Sequence, residues 1–472
     1  MEAVRLTIGR MLRVSGLPEP VERTLRGHLT MDNPVWLENN RQRRSNHGVL
    51  RTLRYYWQRK DALLVPRGHT HEVLALLDCH SLPYELRDRT RLLPDVSFSC
   101  CANLHPHQEK AARAVLSRRF SVAQLPTGAG KTVLALYCVA QRAQPACVIV
   151  HTRELLYQWR DRAAEFLGLP HAEVGIVGDG NFTIGPRLTI ALVQTLYKRA
   201  REVRDHVGHL IVDECHHAPA RTFTDAVRAF DTRFMIGLSA TPYRRDRMTP
   251  IIGYHIGPLV CRVDPRELQD AGRILGAELR VRETSFDYPY RDDYQGMLTV
   301  LAADEARNRL IAEDVAGFAA GAAGPALVVS DRKQHCEALA RKVRDLGIDV
   351  ALLTGDTPGE ERQRIVHELS TGGIKVLVAT MQLVGEGFDC DRLAGLFLTT
   401  PIKFPGRVLQ VVGRVLRTSD GKEKPVVYDY VDRAGVLRSS FAARMQAYKQ
   451  LGMPCLHDWR DTAPGRNGFY GR

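Results

Sequence analysis

The sequence predicts an α/β protein with two doubly wound parallel-sheet domains in tandem and a smaller α/β module at the N-terminus. Three observations support this prediction. From about residue 120, short apolar runs alternate with amphipathic stretches; the alternation lapses between residues 262 and 299; it then resumes. Alternating strands and helices are typical of parallel sheets, because each parallel pair of strands needs a crossover connection.

The first series of apolar runs belongs to the first sheet domain, which we place at residues 101–262. Each run is followed by polar or amphipathic sequence, as expected for a strand that leads into a crossover helix. The runs are SVAQL, ACVIVH, LTIALVQ, HLIVDE and FMIGLSA.

The second series belongs to a second sheet domain of the same class, which we place at residues 301–455. Its runs are PALVVSD, DVALLTG, KVLVAT, LAGLFLTT and KPVVYDYVD. Residues 263–300 are charged and rich in proline and glycine, so we interpret them as a linker with room for a short strand pair. Residues 456–472 have weak periodicity and are interpreted as a tail.

The N-terminal module, residues 1–100, contains a basic aromatic segment, RQRRSNHGVLRTLRYYWQRK, with seven basic residues and no acid. We predict a nucleic-acid surface here, since arginines such as Arg41, Arg43 and Arg44 can hold phosphates while exposed aromatic rings stack on bases. Tyr55 and Trp57 alternate as strand residues do, so the alternative that one of them belongs to the core stays open.

Composition sets the broad class. The chain has 472 residues, 44% of them hydrophobic, and a net charge of +13, which favours a polyanionic partner, although a merely basic surface is the alternative. The scattered cysteines suit free thiols in a reducing compartment. No apolar run approaches the roughly eighteen residues of a membrane span, and no signal peptide is evident, so we expect a cytoplasmic protein without a membrane partner.

A glycine-rich turn, LPTGAGKT, lies between a predicted strand and a predicted helix. In such a turn, backbone N–H groups and the helix N-terminus hold phosphate oxygens, Lys131 reaches the terminal phosphates and Thr132 ligates Mg²⁺. Leu125 replaces the opening glycine of the general pattern, so the turn depends on its later glycines. The residues predicted to bind the nucleotide are Pro126, Thr127, Gly128, Ala129, Gly130, Lys131 and Thr132.

The stretch LIVDECHHAPA places five potential metal ligands side by side. Neighbouring side chains on a strand point to opposite faces, and no cysteine pair has zinc spacing, so a zinc site is disfavoured. With a triphosphate at the glycine turn, Asp213 is expected to ligate Mg²⁺ and Glu214 to activate the attacking water. We expect His216 to relay the state of the site, and His217 to be a helix-start or surface residue.

The stretch QVVGRVLR in the second sheet domain supplies positive charge. On a helix, Gln410, Arg414 and Arg417 stand on one face, which is expected to offer two guanidinium groups to an interdomain cleft. The opposite face is apolar and predicted to be buried; its residues are Val408, Val411, Val412 and Val415.

These motifs, in this order over roughly residues 104–432, closely resemble those of the superfamily 2 helicases. DECH in place of DEAD, together with PTGAGKT, is similar to the XPB/UvsW-like branch. Further motifs that carry the resemblance are LHPHQ, VHTRELLYQW, ALVQTL, LSATP and VATMQLVGEGFDCD.

The resemblance implies two RecA-like domains that use ATP and Mg²⁺ to move along one nucleic-acid strand. It assigns Gln108 to the adenine, and Gly387 and Asp389 to the nucleotide; it assigns coupling of the nucleotide site to the strand to Ser239 and Thr241. The residues that the resemblance assigns to nucleic-acid contact are Arg153, Gln158, Gln194, Thr195 and Thr380.

We therefore expect an ATP-dependent DNA helicase or translocase whose N-terminal module grips duplex or branched DNA. An RNA helicase is the nearer alternative, since the sequence contains no recognisable residue that would distinguish DNA from RNA by the 2′-hydroxyl group. An ATP-gated nucleic-acid-binding subunit of a restriction or defence complex is the alternative from another class. The intact candidates Lys131, Glu214, Arg414 and Arg417 argue against an inactive ATPase.

Overall fold

The structure is a computed structural model that describes residues 3–217, 221–241, 248–385 and 390–453. The chain divides into two compact units, Met1–Val263 and Asp264–Arg472. Within the described residues, no helix is long and apolar enough to cross a membrane. The described cysteines are all free thiols, as predicted.

The N-terminal module contains a mixed five-stranded sheet in the order β5-β6-β2-β1-β7, and β3 and β4 form a separate antiparallel pair. Its elements are β1 (Val4–Ile8), β2 (Met11–Ser15), α1 (Glu19–His28), β3 (Thr30–Asp32), α2 (Pro34–Arg41), β4 (Thr52–Arg54), β5 (Trp57–Arg59), β6 (Ala62–Pro66), α3 (Thr70–Cys79) and β7 (Tyr84–Asp88). Alternate residues of β1, including Val4 and Leu6, are buried, so one face of the sheet packs against helices.

The first large sheet has the order β11-β10-β12-β9-β13-β14-β8-β15, and only β11 pairs antiparallel. Its elements are α4 (Pro106–Leu116), β8 (Phe120–Gln124), α5 (Lys131–Arg142), β9 (Ala146–Val150), α6 (Arg153–Leu167), β10 (Val174–Gly178), β11 (Asn181–Phe182), β12 (Leu188–Leu192), α7 (Val193–Val203), β13 (His209–Val212), α8 (Arg221–Arg228), β14 (Phe234–Ser239), α9 (Pro250–His255) and β15 (Leu259–Arg262). All five predicted runs of the first series form strands of this sheet.

The N-terminal module packs directly on this sheet domain within the first unit. Arg67 is 2% exposed, and its guanidinium donates to the carbonyl and hydroxyl oxygens of Thr232 at 3.0 and 3.2 Å. The Tyr254 hydroxyl donates to the His28 carbonyl at 2.6 Å. Asp88 at the end of β7 forms ion pairs with Arg119 and with a second arginine of the sheet domain. Buried contacts of this kind hold the module and the sheet domain together.

The second unit contains a six-stranded, fully parallel sheet in the order β16-β21-β20-β17-β19-β18. Its elements are α10 (Pro265–Asp270), β16 (Glu278–Glu283), α11 (Tyr294–Ala303), α12 (Glu305–Gly321), β17 (Ala326–Ser330), α13 (Lys333–Asp345), β18 (Val350–Leu353), α14 (Gly359–Thr371), β19 (Val376–Thr380), α15 (Met381–Gly385), β20 (Gly395–Leu398), α16 (Pro405–Val415), β21 (Val426–Val431) and α17 (Gly435–Gln450). The two sheets confirm the predicted fold class.

One strand lies where we interpret a linker. β16 falls within residues 263–300 and pairs with β21 as the edge strand of the second sheet. Only Leu279 of this strand is fully buried, so its sequence ELRVRE carries a weak apolar signal. A strand at the sheet edge has one partner and more exposure, and this explains why the periodicity is hard to detect.

Candidate nucleotide-binding site

The glycine turn joins β8 to α5 in the first unit, as the sequence predicts. Gly128 and Gly130 have φ values of 86° and 75°, a left-handed conformation that a side chain disfavours. Leu125, which replaces the usual opening glycine, is fully buried, and its backbone N–H donates to the Ser239 carbonyl at 3.0 Å. This residue therefore belongs to the core and leaves the turn itself to the two later glycines.

Gln108 lies against the glycine turn. Its amide nitrogen donates to the carbonyl oxygens of Ala129 at 3.1 Å and Gly130 at 3.4 Å, and its amide oxygen accepts from the His105 backbone N–H at 2.9 Å. A Cβ atom at Gly130 would collide with this amide. In this arrangement Gln108 holds the backbone of the turn; its contact with an adenine base stays a prediction.

Two acids at the end of β13 face the turn. The Lys131 ammonium lies 3.1 Å from a carboxylate oxygen of Glu214, and both side chains are less than one-fifth exposed. Asp213 accepts a hydrogen bond from the Trp159 indole at 2.8 Å and another from the Glu214 backbone N–H at 2.9 Å. The lysine of the glycine turn and both predicted acids are thus neighbours.

Burial is the largest influence on both acids. It raises the pKa of Asp213 to about 6, and the charge of Glu214 acts in the same direction. For Glu214 burial is outweighed by the Lys131 ammonium and by His216, which hold its pKa well below the usual range. Glu214 is therefore the stronger acid of the pair. A divalent cation beside Asp213 would favour the ionised form of that acid as well.

The three predicted coupling residues also meet here. Nδ1 of His216 lies 3.2 Å from a carboxylate oxygen of Glu214 and 3.0 Å from the Ser239 hydroxyl oxygen. That hydroxyl also accepts from the Thr241 backbone N–H at 3.0 Å, and an Nδ1 that carries a hydrogen can donate to either Glu214 or Ser239. A continuous polar chain therefore runs from the acid to the end of β14. The side chain of His217 lies outside the described residues.

These groups fit a phosphate and a divalent cation. The backbone of Gly128 and Gly130 forms a turn that admits close approach of an anion, and Lys131 supplies a charge beside it. A buried, closely coupled pair of acids is an environment that a cation stabilises. Thr132, next to the lysine on α5, has a hydroxyl of the kind that Mg²⁺ accepts as a ligand.

The predicted strand-contacting residues follow adjacent strands of the first sheet. β9 and β12 pair in parallel, so α6 and α7, which follow them, begin at the same sheet edge. Arg153 and Gln194 lie at these helix starts and are exposed, and Gln158 and Thr195 are half-buried. Arg153 forms an ion pair with Asp179, with its Nε 2.8 Å from the carboxylate. No sequence motif singles out Asp179. Nucleic-acid contact by these residues stays a prediction.

In the second unit, α16 carries the predicted apolar face, since all four of its valines are buried. The helix is shorter than predicted: it ends at Val415 with Leu416 as its C-cap, so Arg417 lies just beyond the helix that carries Gln410 and Arg414. Ile274 forms an antiparallel bridge with Arg417, and this pairing takes the chain out of the helix. Arg414 and Arg417 are both half-buried.

Lys422 fastens the end of α16 and was not among the predicted site residues. Its ammonium donates to the carbonyl oxygens of Val415, Arg417 and Asp391 at 2.8, 2.6 and 2.6 Å. Burial lowers the pKa of Lys422 to about 8. Thr380 lies at the end of β19 and is half-buried, whereas Gly387 and Asp389 lie outside the described residues.

The predicted basic residues of the N-terminal module are exposed. Arg41 ends α2, and Arg43 and Arg44 follow it on the surface. The aromatic residues of the segment have partners within the protein: Tyr55 packs on Tyr254 at a ring distance of 5.4 Å, and Trp57 lies under the Arg228 guanidinium at 4.4 Å. Tyr55 therefore packs within the protein, which agrees with the alternative that one of these aromatic residues belongs to the core and not to a base-stacking surface.

Two family profiles match the chain. The profile described as "Type III restriction enzyme, res subunit" matches residues 102–244, and that described as "Helicase conserved C-terminal domain" matches residues 309–419. Among solved structures, a fragment of a putative HsdR subunit of a type I restriction enzyme from Vibrio vulnificus covers 75% of this chain and 68% of its own at a TM-score of 0.57 and 17% identity. The structure of S. cerevisiae Dbp5 bound to RNA and ADP BeF3 covers 74% of this chain and 88% of its own, with a TM-score of 0.54 and 18% identity. Both share the fold.

Three curated relatives extend over most of the chain. "Probable helicase D10" of Escherichia phage T5 is 26% identical, covering 80% of this chain and 82% of its own. "DNA 3'-5' translocase XPB2" of Sulfurisphaera tokodaii is 25% identical, covering 67% and 79%. "ATP-dependent DNA helicase uvsW" of Enterobacteria phage T4 is 25% identical, covering 70% and 69%. The two profiles and these relatives are consistent with a superfamily 2 helicase of the XPB/UvsW type.

Proposed function

We propose that this protein is an ATP-dependent DNA helicase or translocase that couples ATP hydrolysis to movement along, or remodelling of, duplex or branched DNA. The observation that carries the proposal is the 3.1 Å contact between the lysine of the glycine turn, Lys131, and the strand-end acid Glu214. Relatives whose names describe a DNA translocase and a DNA helicase support DNA as the substrate.

The proposed chemistry is phosphoryl transfer from ATP to water, with Mg²⁺ neutralising phosphate charge. The backbone of Gly128 and Gly130 would hold the phosphates. Lys131 would break its contact with Glu214 and contact the phosphates instead. Thr132 and Asp213 would hold the metal. Glu214, freed from the lysine, would orient the attacking water and accept its proton.

We further propose that His216 reports the state of Glu214 to Ser239 and Thr241. Its Nδ1 lies within hydrogen-bond reach of both Glu214 and Ser239, so a change at the acid alters what the serine can bind. Gln410, Arg414 and Arg417 of the second unit are the proposed source of positive charge for the transition state. Arg153, Gln158, Gln194, Thr195 and Thr380 are the proposed contacts to the translocated strand.

One other function has a specific observation in its favour. The match of residues 102–244 to a restriction-enzyme subunit profile supports an ATP-driven subunit of a restriction or defence assembly. That function needs the same hydrolytic residues, and it differs in requiring a partner subunit for activity. RNA as the substrate has weaker support, because one relative is named as a putative RNA helicase whereas four are named as DNA helicases or translocases. The likeness to RNA-bound Dbp5 rests on the fold alone. The cytoplasm remains the proposed location.

The test is ATPase activity of the full chain with single-stranded DNA, duplex DNA, forked DNA and RNA, together with strand displacement on the fork. We expect Lys131→Ala and Glu214→Gln each to lower DNA-stimulated turnover by at least about a hundredfold, since each removes a group that acts on the reacting phosphate or water. Exposed Glu202→Gln serves as the control with the same chemical change. Undiminished turnover in either variant would disprove the site.

A further inference from the structure

The N-terminal module presents a small, rigidly held apolar surface, which we call the apolar tip and define as Val35 and Leu50. Their side chains are 58% and 71% exposed, and Leu50 is the most exposed large hydrophobic residue in the described part of the chain. A single exposed leucine is common on protein surfaces, so exposure alone implies nothing. The backbone beneath it provides the second observation.

Both tip residues are fastened to one side chain. The carboxamide of Asn33, which is itself buried, donates to the Leu50 carbonyl at 2.8 Å and accepts from the Val35 backbone N–H at 3.0 Å. The Asn33 backbone N–H donates to the Arg51 carbonyl at 2.9 Å. These bonds fix the backbone at Val35 and Leu50. The two exposed side chains therefore lie on an ordered part of the module.

The part of the module that carries the tip is basic, with five exposed arginines against the two exposed acids Asp32 and Glu38. Arg41, Arg43, Arg44, Arg51 and Arg54 are all exposed and lie in the same segment of the chain. Arg51 also lies over the Trp36 ring at 5.4 Å, which fixes its position beside the tip. Two apolar side chains are far too few for a stable protein interface, whose buried core is larger and poorer in charge. Two exposed apolar side chains in a segment rich in exposed arginines suit a ligand that combines phosphates with stacked rings.

We propose that the apolar tip inserts between bases where DNA is branched or distorted, while the exposed arginines of the same segment hold the flanking phosphates. The proposal rests on the proposed function in taking DNA as the ligand. Apolar side chains that wedge between base steps unstack them partly, and this is easiest where stacking is already interrupted. The module would then recognise a junction by its loosened bases, with no need for a base sequence.

The experiment uses the full chain without nucleotide and a DNA fork that carries 2-aminopurine at the junction. With the unchanged protein, fluorescence of the probe rises as its base loses stacking. We expect Val35→Ala/Leu50→Ala to remove most of this rise and to weaken fork binding about tenfold, in the range for loss of a base contact. The slope of affinity against salt should stay unchanged, because no phosphate contact is lost. ATPase stimulated by single-stranded DNA should also be unchanged.

Leu92→Ala provides the matched control, since Leu92 is 61% exposed and lies outside the basic aromatic segment. An equal loss in that variant, or an unchanged fluorescence rise in the double variant, would overturn the proposal. Self-association of the chain that disappears in the double variant would overturn it in favour of a protein contact. Failure of any DNA to stimulate the unchanged enzyme would instead refute the proposed function, so the two failures are distinguishable.

Discussion

At the scale of single residues, the site depends on side chains that each contact more than one partner. Glu214 has a φ of 43°, an uncommon conformation for a residue with a side chain, and its N–H donates to Asp213. Such strain persists only where surrounding contacts determine it, and it is typical of functional sites. Here it turns two consecutive acids toward different partners, Lys131 and Trp159.

The His216 contact predicts a loss of coupling. Replacing His216 by alanine removes the group between Glu214 and Ser239, so stimulation of ATPase by DNA should fall more than the basal rate does. Coupling between sites is worth about 1–3 kcal/mol, which corresponds to a fall of roughly tenfold in the stimulation factor. The measurement is the ratio of turnover with and without single-stranded DNA.

Ser239→Ala removes the other side of the same contact and should give a similar ratio. The variant with both changes should lose no more than either change alone, because residues in one hydrogen-bonded chain are not additive. Additive losses would show that the two residues act separately.

At the scale of elements, close packing joins the N-terminal module to α9. Gly68 lies in the turn between β6 and α3, and a Cβ atom there would lie 2.7 Å from the carbonyl oxygens of Gly253 and Tyr254. The same atom would lie 2.8 Å from the backbone nitrogen of Gly257. Backbone atoms on three sides leave little room to adjust, so this glycine is required by tertiary packing.

Gly68→Ala should therefore destabilise the first unit by about 1–3 kcal/mol, the usual range for an overpacked position. The measurement is thermal unfolding followed by tryptophan fluorescence. Gly253→Ala is the control within α9, where an added Cβ meets no atom within 4 Å in the described structure. Because alanine favours helices, the control should be neutral or slightly stabilising. Equal melting temperatures for the two variants would contradict the packing argument.

At the scale of the whole molecule, the charge of +13 is expected to act through the N-terminal module. Arg41, Arg43 and Arg44 changed together to glutamate should weaken duplex binding while ATP still binds. Each lost phosphate contact lowers the slope of log affinity against log salt by about 0.9, so the slope should fall by roughly 2–3. The measurement is DNA affinity over a series of salt concentrations.

A charge-matched control is available in the second unit. Arg341, Arg364 and Lys375 are exposed, and changing them to glutamate alters net charge by the same amount. An equal loss of affinity in the control would mean that overall charge, and not the basic segment, attracts DNA.

Buried histidines make the whole molecule sensitive to acid. Burial, with a smaller effect from Arg142, lowers the pKa of His209 to about 3, and in the described structure neither ring nitrogen has a hydrogen-bond partner. The unfolded chain takes up a proton near pH 6.5 and the folded chain resists it. Stability contributed by this residue is therefore lost as pH falls below about 6.5, at up to about 1.4 kcal/mol per pH unit.

His209→Leu should reduce the stability lost between pH 7 and pH 5 by about 2 kcal/mol. Urea unfolding followed by tryptophan fluorescence measures this, because three of the four tryptophans, Trp36, Trp57 and Trp159, lie in the first unit. An acid sensitivity equal to that of the unchanged protein would contradict the prediction.

Much of this protein could be derived from local sequence, because the relevant signals are local. The buried runs of the first series are all strands, and the glycine turn, Lys131, Asp213 and Glu214 lie together where parallel strands end at one sheet edge. The spacing of the valines on α16 likewise predicts its buried face. Period and turn chemistry act over a few residues, so they can be read without the rest of the chain.

Other features were decided only by tertiary structure, because they depend on partners distant along the chain. The end of α16 before Arg417 depends on Ile274 and Lys422, and the role of Tyr55 as a packing residue depends on Tyr254. β16 is a strand because it pairs with β21 at the edge of the second sheet. The sequence by itself therefore determined the sheets and the glycine turn, whereas long-range contacts decided where α16 ends and which aromatic residues pack within the protein.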